Sequence, residues 1–208
     1  MARARASRSI ENAARRLGFV RIAGADEVGR GCLAGPVVAA AVILPPEHPI
    51  RGLRDSKQLT PIERDRLYDA IVNSVARYAV ASVDAPEIDR VNIAQASLRA
   101  MREAVMALAP LPDLVLVDAF RIPGLPMAQR GIVHGDARCT AIAAASIVAK
   151  VTRDRLMHEL HDRDPRYGFD RHKGYATADH LEALARFGYS ASHRRSFRPP
   201  TLFDRIDP

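Results

Sequence analysis

Two apolar runs dominate the first quarter of the chain. Residues 19–26 carry only Arg21 and Asp26 as charged members, and residues 37–44 read Val-Val-Ala-Ala-Ala-Val-Ile-Leu. Runs this short and this apolar predict strands covered on both faces. A glycine-rich loop joins them, and Pro45-Pro46 stops the second. Residues 78–83 alternate in the manner of a third strand, residues 114–117 form a short buried one, and Ile132-Val133 a shorter one still. Helical patterns fill the gaps. One covers 9–17. Another runs from Pro61 to about Arg77, behind Thr60 as N-cap and Glu63 closing a capping box. A third spans 86–108, broken near Val91-Asn92. A long one covers 140–163, alanine-rich in its first half. The last lies between the cap Thr177 and the stop Gly188.

Strands alternating with helices predict an α/β domain. The hairpin-like join of the first two strands makes its sheet mixed rather than purely parallel. A soft boundary at Asp164-Pro165 divides the chain into an N-terminal segment (1–17, partly frayed), a main domain (18–164) and a C-terminal helical extension with a basic tail (165–208), packed on the same domain.

Charge then narrows the class of partner. The chain has 208 residues, of which 31 are basic and 24 acidic, giving +7 and a pI near 10.0. A polyanion such as nucleic acid is the favoured partner. Only Lys57, Lys150 and Lys173 are lysines, and each falls inside a polar motif. Two cysteines without paired spacing argue for a reducing compartment. The longest apolar run contains Pro36 and is too short to span a bilayer, and no secretory signal is present, so the expectation is a cytoplasmic protein.

Candidate chemistry sits at the strand ends. Asp26 and Glu27 close the first run, Asp118 closes the 114–117 run, and Asp136 precedes the long helix. In open α/β sheets such ends meet in one crevice. Four acids there suit one or two divalent cations, which take hard oxygen ligands and activate water for attack on a phosphodiester. Turn or cap roles remain the alternative, especially for Asp136. Gly29, Arg30 and Gly31 fit neither a dinucleotide fingerprint nor a P-loop. They suit a phosphate chain, through close backbone approach and a charged fork. Ser146, Lys150 and Arg153 share one face of the long helix, as a phosphate track or as a solvated face. Lys57 and Lys173 are further phosphate contacts, and Tyr175 is placed to stack on a sugar or base.

Taken in order, these motifs resemble bacterial ribonuclease HII proteins. The resemblance runs from about Arg21 to Phe197. It rests on Gly24-Ala25-Asp26-Glu27-Val28-Gly29-Arg30-Gly31, Leu33-Ala34-Gly35-Pro36-Val37, Asp55-Ser56-Lys57, Val117-Asp118, Gly135-Asp136, the 143–154 segment, Tyr167-Gly168-Phe169, His172-Lys173-Gly174-Tyr175 and His193-Arg194-Arg195-Ser196-Phe197. It implies a ribonuclease H-like fold with a helical C-terminal extension. It implies cleavage of the RNA strand of RNA–DNA hybrids and incision 5′ of single ribonucleotides in duplex DNA, with Mn²⁺ or Mg²⁺, two ions in the active complex. Products would carry a 3′-hydroxyl and a 5′-phosphate. By position, Asp26, Glu27, Asp118 and Asp136 look like the metal-binding acids. Gly29, Arg30, Gly31 and Tyr175 look like the parts that read the ribose 2′-hydroxyl. Cys32 and Ala119 depart from the family, which often has proline and glycine there. The rival readings are another nuclease of this fold, such as a junction resolvase, and a non-catalytic nucleic-acid-binding protein. A monomer is the default. Thr201-Leu202-Phe203 has part of a sliding-clamp peptide's pattern and lacks the rest.

Overall fold

The computed structural model describes residues 6–197, apart from His48 and Val75. In chain order the elements are α1 (Ser9–Arg16), β1 (Ile22–Val28), β2 (Val37–Ile43), a 3-10 turn (Ser56–Gln58), α2 (Pro61–Val72), β3 (Arg77–Val83), α3 (Ala85–Val91) and α4 (Ile93–Met106). They continue with β4 (Leu114–Asp118), β5 (Ala128–Ile132), α5 (Gly135–Arg138), α6 (Thr140–Arg163), a second 3-10 turn (Pro165–Tyr167), α7 (Phe169–His172) and α8 (Ala178–Phe187). The five strands form one mixed sheet in the order β3-β2-β1-β4-β5. β1, β2 and β3 are antiparallel neighbours, whereas β1, β4 and β5 run parallel.

Helices cover both faces, which is why the central strands carry no polar alternation. On one face Ala23, Ala25, Ala39, Val115 and Val117 pack with Ala96, Ala100, Met101 and Val105 of α4. On the other, Ala40 and Val42 pack with Leu67 and Ile71 of α2 and with the alanine-rich half of α6. That half lies unusually close to the sheet. A Cβ at Gly24 of β1 would stand 2.1 Å from the backbone of Ala141. The start of α6 is capped from far away: buried Glu11 of α1 accepts hydrogen bonds from the Thr140 hydroxyl and the Ala141 N–H. A carboxylate there satisfies a free donor and complements the positive helix end.

Most predicted elements are found, with instructive shifts. The capping box at Thr60 and Glu63 is present, but α2 ends at Val72, where the Ser74 hydroxyl takes the Ile71 carbonyl. Asn92 ends α3 and caps α4, its side chain accepting from Ala94 and Gln95 N–H. β5 covers Ala128–Ile132 rather than 132–133. It is an edge strand with an alternating, partly exposed face, so it lacks the apolar run that betrays β4. Beyond α6, Tyr167, Phe169 and Ala183 make a small core with Met157 of α6 and Ala34 of the loop after β1.

Candidate active site

β1 and β4 are parallel neighbours from which the sheet continues in opposite directions, so their C-terminal ends border a topological switch point. Ala25 stands beside Val117, which sets Asp26 and Asp118 at the same level near the strand ends. Asp136 enters from α5, four residues before α6 begins at Thr140. Asp26 is buried at 7 % exposure. Burial, then the charges of Glu27 and Asp118, push its carboxyl well above the ordinary range; the Ser146 hydroxyl and the Glu27 N–H offset this only in part. Glu27 is raised by burial against the pull of Arg30, whose Nη1 lies 3.1 Å from its Oε1. Asp136 is raised by burial and by Asp55 and Asp118, against Ala137 N–H and Lys57.

Asp26, Glu27 and Asp136, each with raised proton affinity, make a site that favours added positive charge. Their donors are also aimed. Asp118 Oδ1 accepts from Gly135 N–H at 2.7 Å and Asp136 Oδ1 from Ala137 N–H at 2.8 Å, which leaves each Oδ2 without a protein partner among the described residues. Hard carboxylate oxygens, oriented and uncompensated, fit a divalent cation. Among the described residues no three acid, histidine or cysteine side chains are yet gathered tightly enough to chelate one ion. Arg30 draws Glu27 to itself.

The glycine loop flanks the acids. Gly29 has φ +91, and a Cβ there would lie 2.2 Å from Nε of Arg153, so only glycine lets the loop settle on that guanidinium. A Cβ at Gly31 would meet nothing within 4 Å. Arg30 lies 5.3 Å over the half-exposed ring of Phe120. Tyr175, 41 % exposed, is reached through the backbone: Leu33 N–H donates to the Gly174 carbonyl at 2.8 Å. Ala119, where the family often has glycine, adopts φ 59.

The cationic candidates divide. Lys57 is exposed and faces Asp136. Lys150 is bound to Asp154 at 2.6 Å, and Lys173 to His158 and the Asp170 carbonyl. Arg153 is not a phosphate contact. It is 0 % exposed and gives its donors to the carbonyls of Pro36, Ala34 and Lys173. Ser146 is likewise no part of an exposed track: it is buried beneath Asp26 and bonded to Ser56 at 2.9 Å. Helical spacing placed these residues on one face; the C-terminal extension and the 3-10 turn cover that face. Sequence reading missed the roles of Ser56, Phe120, His180, His193 and Arg194. Ser56, His193 and Arg194 stand in motifs that carry the resemblance, which was the available signal.

A mixed five-stranded sheet with four carboxylates at its switch point, next to a glycine-arginine loop, defines a metal-dependent nuclease of the ribonuclease H type. The sequence profile described as Ribonuclease HII matches residues 23–199. The chain is 58 % identical over 177 residues to "Ribonuclease HII 1" of Methylibium petroleiphilum, covering 85 % of this chain and 89 % of that one. The chain therefore belongs to the ribonuclease HII family and is a type 2 ribonuclease H, an endonuclease acting on RNA–DNA hybrids. Among solved structures it is similar to the PCNA:RNase HII complex from Archaeoglobus fulgidus (TM-score 0.71, 28 % identity, 89 % of this chain and 100 % of that chain). It is also similar to Bst-RNase HIII in complex with Mn²⁺ (TM-score 0.66, 25 % identity, 89 % and 69 %). Among the described residues no helix is long and apolar enough to cross a membrane.

Proposed function

We propose that the enzyme hydrolyses the RNA strand of hybrids and also incises 5′ of single ribonucleotides in duplex DNA, leaving a 3′-hydroxyl and a 5′-phosphate. The observation that carries this is the joining of the 29–31 loop to the Tyr175 segment at the mouth of the acid crevice, through Leu33 and Gly174. The backbone N–H groups of Arg30 and Gly31 have no acceptor among the described residues. They are suited to meet a 2′-hydroxyl, which both donates and accepts and marks RNA at one nucleotide. Tyr175 offers an exposed ring for the neighbouring sugar.

Asp26, Glu27, Asp118 and Asp136 would hold two divalent ions, Mn²⁺ or Mg²⁺. When bound, these supply Lewis acidity and lower the pKa of water. The protein's own part is orientation. Backbone N–H groups fix one oxygen of Asp118 and of Asp136, and Ser146 steadies Asp26. Arg30 lies between Glu27 and Phe120 and is placed to exchange Glu27 for a phosphate. Lys57 on the rim adds positive charge for the backbone. We read the chain as a cytoplasmic monomer, with the C-terminal extension, as far as the described residue 197, packed on the 18–164 domain. Its 201–203 segment lies outside the described residues. A clamp contact is carried only by the likeness to the Archaeoglobus fulgidus complex.

The test is a DNA duplex with one embedded ribonucleotide, an all-DNA control and a long hybrid, each with Mn²⁺, Mg²⁺ or chelator. Metal-dependent nicking 5′ of the ribonucleotide supports the reading. Cleavage of the long hybrid alone removes the ribose-reading role of residues 29–31 and 175.

A further inference from the structure

We infer that Arg194 is a positioning residue for ribonucleotide recognition: from the C-terminal extension it holds the 29–31 loop at a fixed spacing from Tyr175, and so sets the preference for a single embedded ribonucleotide over continuous RNA. The inference rests on the ribose-reading role proposed above.

Arg194 is fully buried and bonds to no carboxylate among the described residues. Its Nη1 donates to the Arg30 carbonyl at 3.0 Å, and its Nε and Nη2 to the Gly35 carbonyl at 3.0 and 2.8 Å. Its backbone N–H donates to Leu33, and Ser192 accepts from Gly35 N–H. Every hydrogen bond of this side chain therefore goes to one loop. Burying a guanidinium is costly even when it is hydrogen-bonded, and an apolar side chain would fill the same space more cheaply. Burial lowers its pKa to about 10, so the cation persists at neutral pH. Arg194 is itself anchored, because Asp89 of α3 accepts from the Arg195 and Ser196 N–H groups and from the Ser196 hydroxyl.

The residue before it reaches the other half of the reader. Successive side chains of an extended segment point to opposite sides. Ser190 N–H donates to Nδ1 of His193, which puts the His193 proton on Nε2. That proton goes to Nε2 of His180, 3.1 Å away, and Nδ1 of His180 then donates to the Tyr175 carbonyl at 2.8 Å. Arg153 closes the circuit by binding Ala34, Pro36 and Lys173 at once. One dipeptide, His193-Arg194, thus grips the loop with one side chain and the Tyr175 segment with the other.

The experiment compares kcat/KM on a single-ribonucleotide duplex with kcat/KM on a continuous hybrid, for Arg194→Lys and Asp89→Ala, each checked by circular dichroism and thermal melting. Arg194→Lys keeps a cation but not the fork. It should lower the single-ribonucleotide to hybrid ratio about tenfold, chiefly through kcat, because misorientation acts on the transition state. Asp89→Ala loosens the anchor from the surface and should shift the ratio the same way by a smaller factor. It decides the matter if Arg194→Lys fails to fold. Equal losses on both substrates, or an unchanged ratio in the folded variants, overturn the inference. Tyr175→Ala separates the two levels. If it leaves the ratio unchanged, the ribose-reading role fails; if it lowers the ratio while Arg194→Lys and Asp89→Ala do not, only the role of Arg194 fails.

Discussion

Two polar regions of this enzyme solve opposite problems. In the acid crevice, Asp26, Glu27 and Asp136 are held with raised proton affinity that Arg30 and Lys57 offset only in part. In the C-terminal extension, His172, His180 and His193 are buried too, yet each ring nitrogen has a partner. Nε2 of His172 meets the Tyr167 carbonyl, its Nδ1 the Gly174 N–H, and the other two rings complete a chain from Ser190 to Tyr175. A satisfied buried network specifies geometry; an unsatisfied one keeps affinity in reserve for what is to bind. The histidine network is read as stability and spacing, the acid crevice as function.

The sharpest way to break this contrast is to neutralise each side in turn. Asp26→Asn should lower hybrid cleavage by at least about a thousandfold. The same change should leave the melting temperature level or raise stability by about 1 kcal/mol, since it removes a repelled charge. A large loss of stability would show the acids to be structural. His180→Ala should do the reverse. It costs about 3 kcal/mol through a cavity and two lost hydrogen bonds, while hybrid cleavage per folded molecule stays within a few-fold, as denaturant titration with active-site normalisation would show.

Acidification separates the regions by sign. Burial depresses His193 to about 4 from 6.5, and His172 and His180 move the same way. Between pH 6.5 and 4 the unfolded chain binds more protons at these positions, so stability falls as pH falls, by about 3 kcal/mol for His193. The raised carboxyls act oppositely: the folded chain binds their protons first, so acidification relieves their repulsion. In chelator, the melting temperature of Asp26→Asn should therefore drop more steeply between pH 6.5 and 4 than that of the parent. Equal slopes would dissolve the distinction. The smallest effect is expected at Ala119, held at φ 59 immediately after Asp118. Ala119→Gly should add about 1 kcal/mol by removing a Cβ clash in the left-handed region, readable as a melting shift of a few degrees.

Much of this was legible along the chain. The paired acids after an apolar run, the capping box at Thr60 and the bounds of α6 all follow from local rules, because spacing and turn chemistry act within a few residues. Helical periodicity also put Ser146, Lys150 and Arg153 on one face correctly, but it carries no information about what lies against that face. Arg153 went to the core because the loop after β1 presents the carbonyls of Ala34 and Pro36, and the C-terminal extension that of Lys173, all in need of donors. Edge strand β5 was misplaced because half-exposed strands lack an apolar signature.

The sequence alone marked most of the elements, the hairpin that makes the sheet mixed, the adjacent acids Asp26 and Glu27 and the glycine loop, since each is written in residues that are neighbours along the chain. Tertiary structure alone decided that Glu11 caps a helix 129 residues away, that two arginines are buried to hold a loop, and that His193 and Arg194 span the site. Those are pairings between distant segments. Their partners are mostly backbone carbonyls, which every residue carries and no sequence pattern marks.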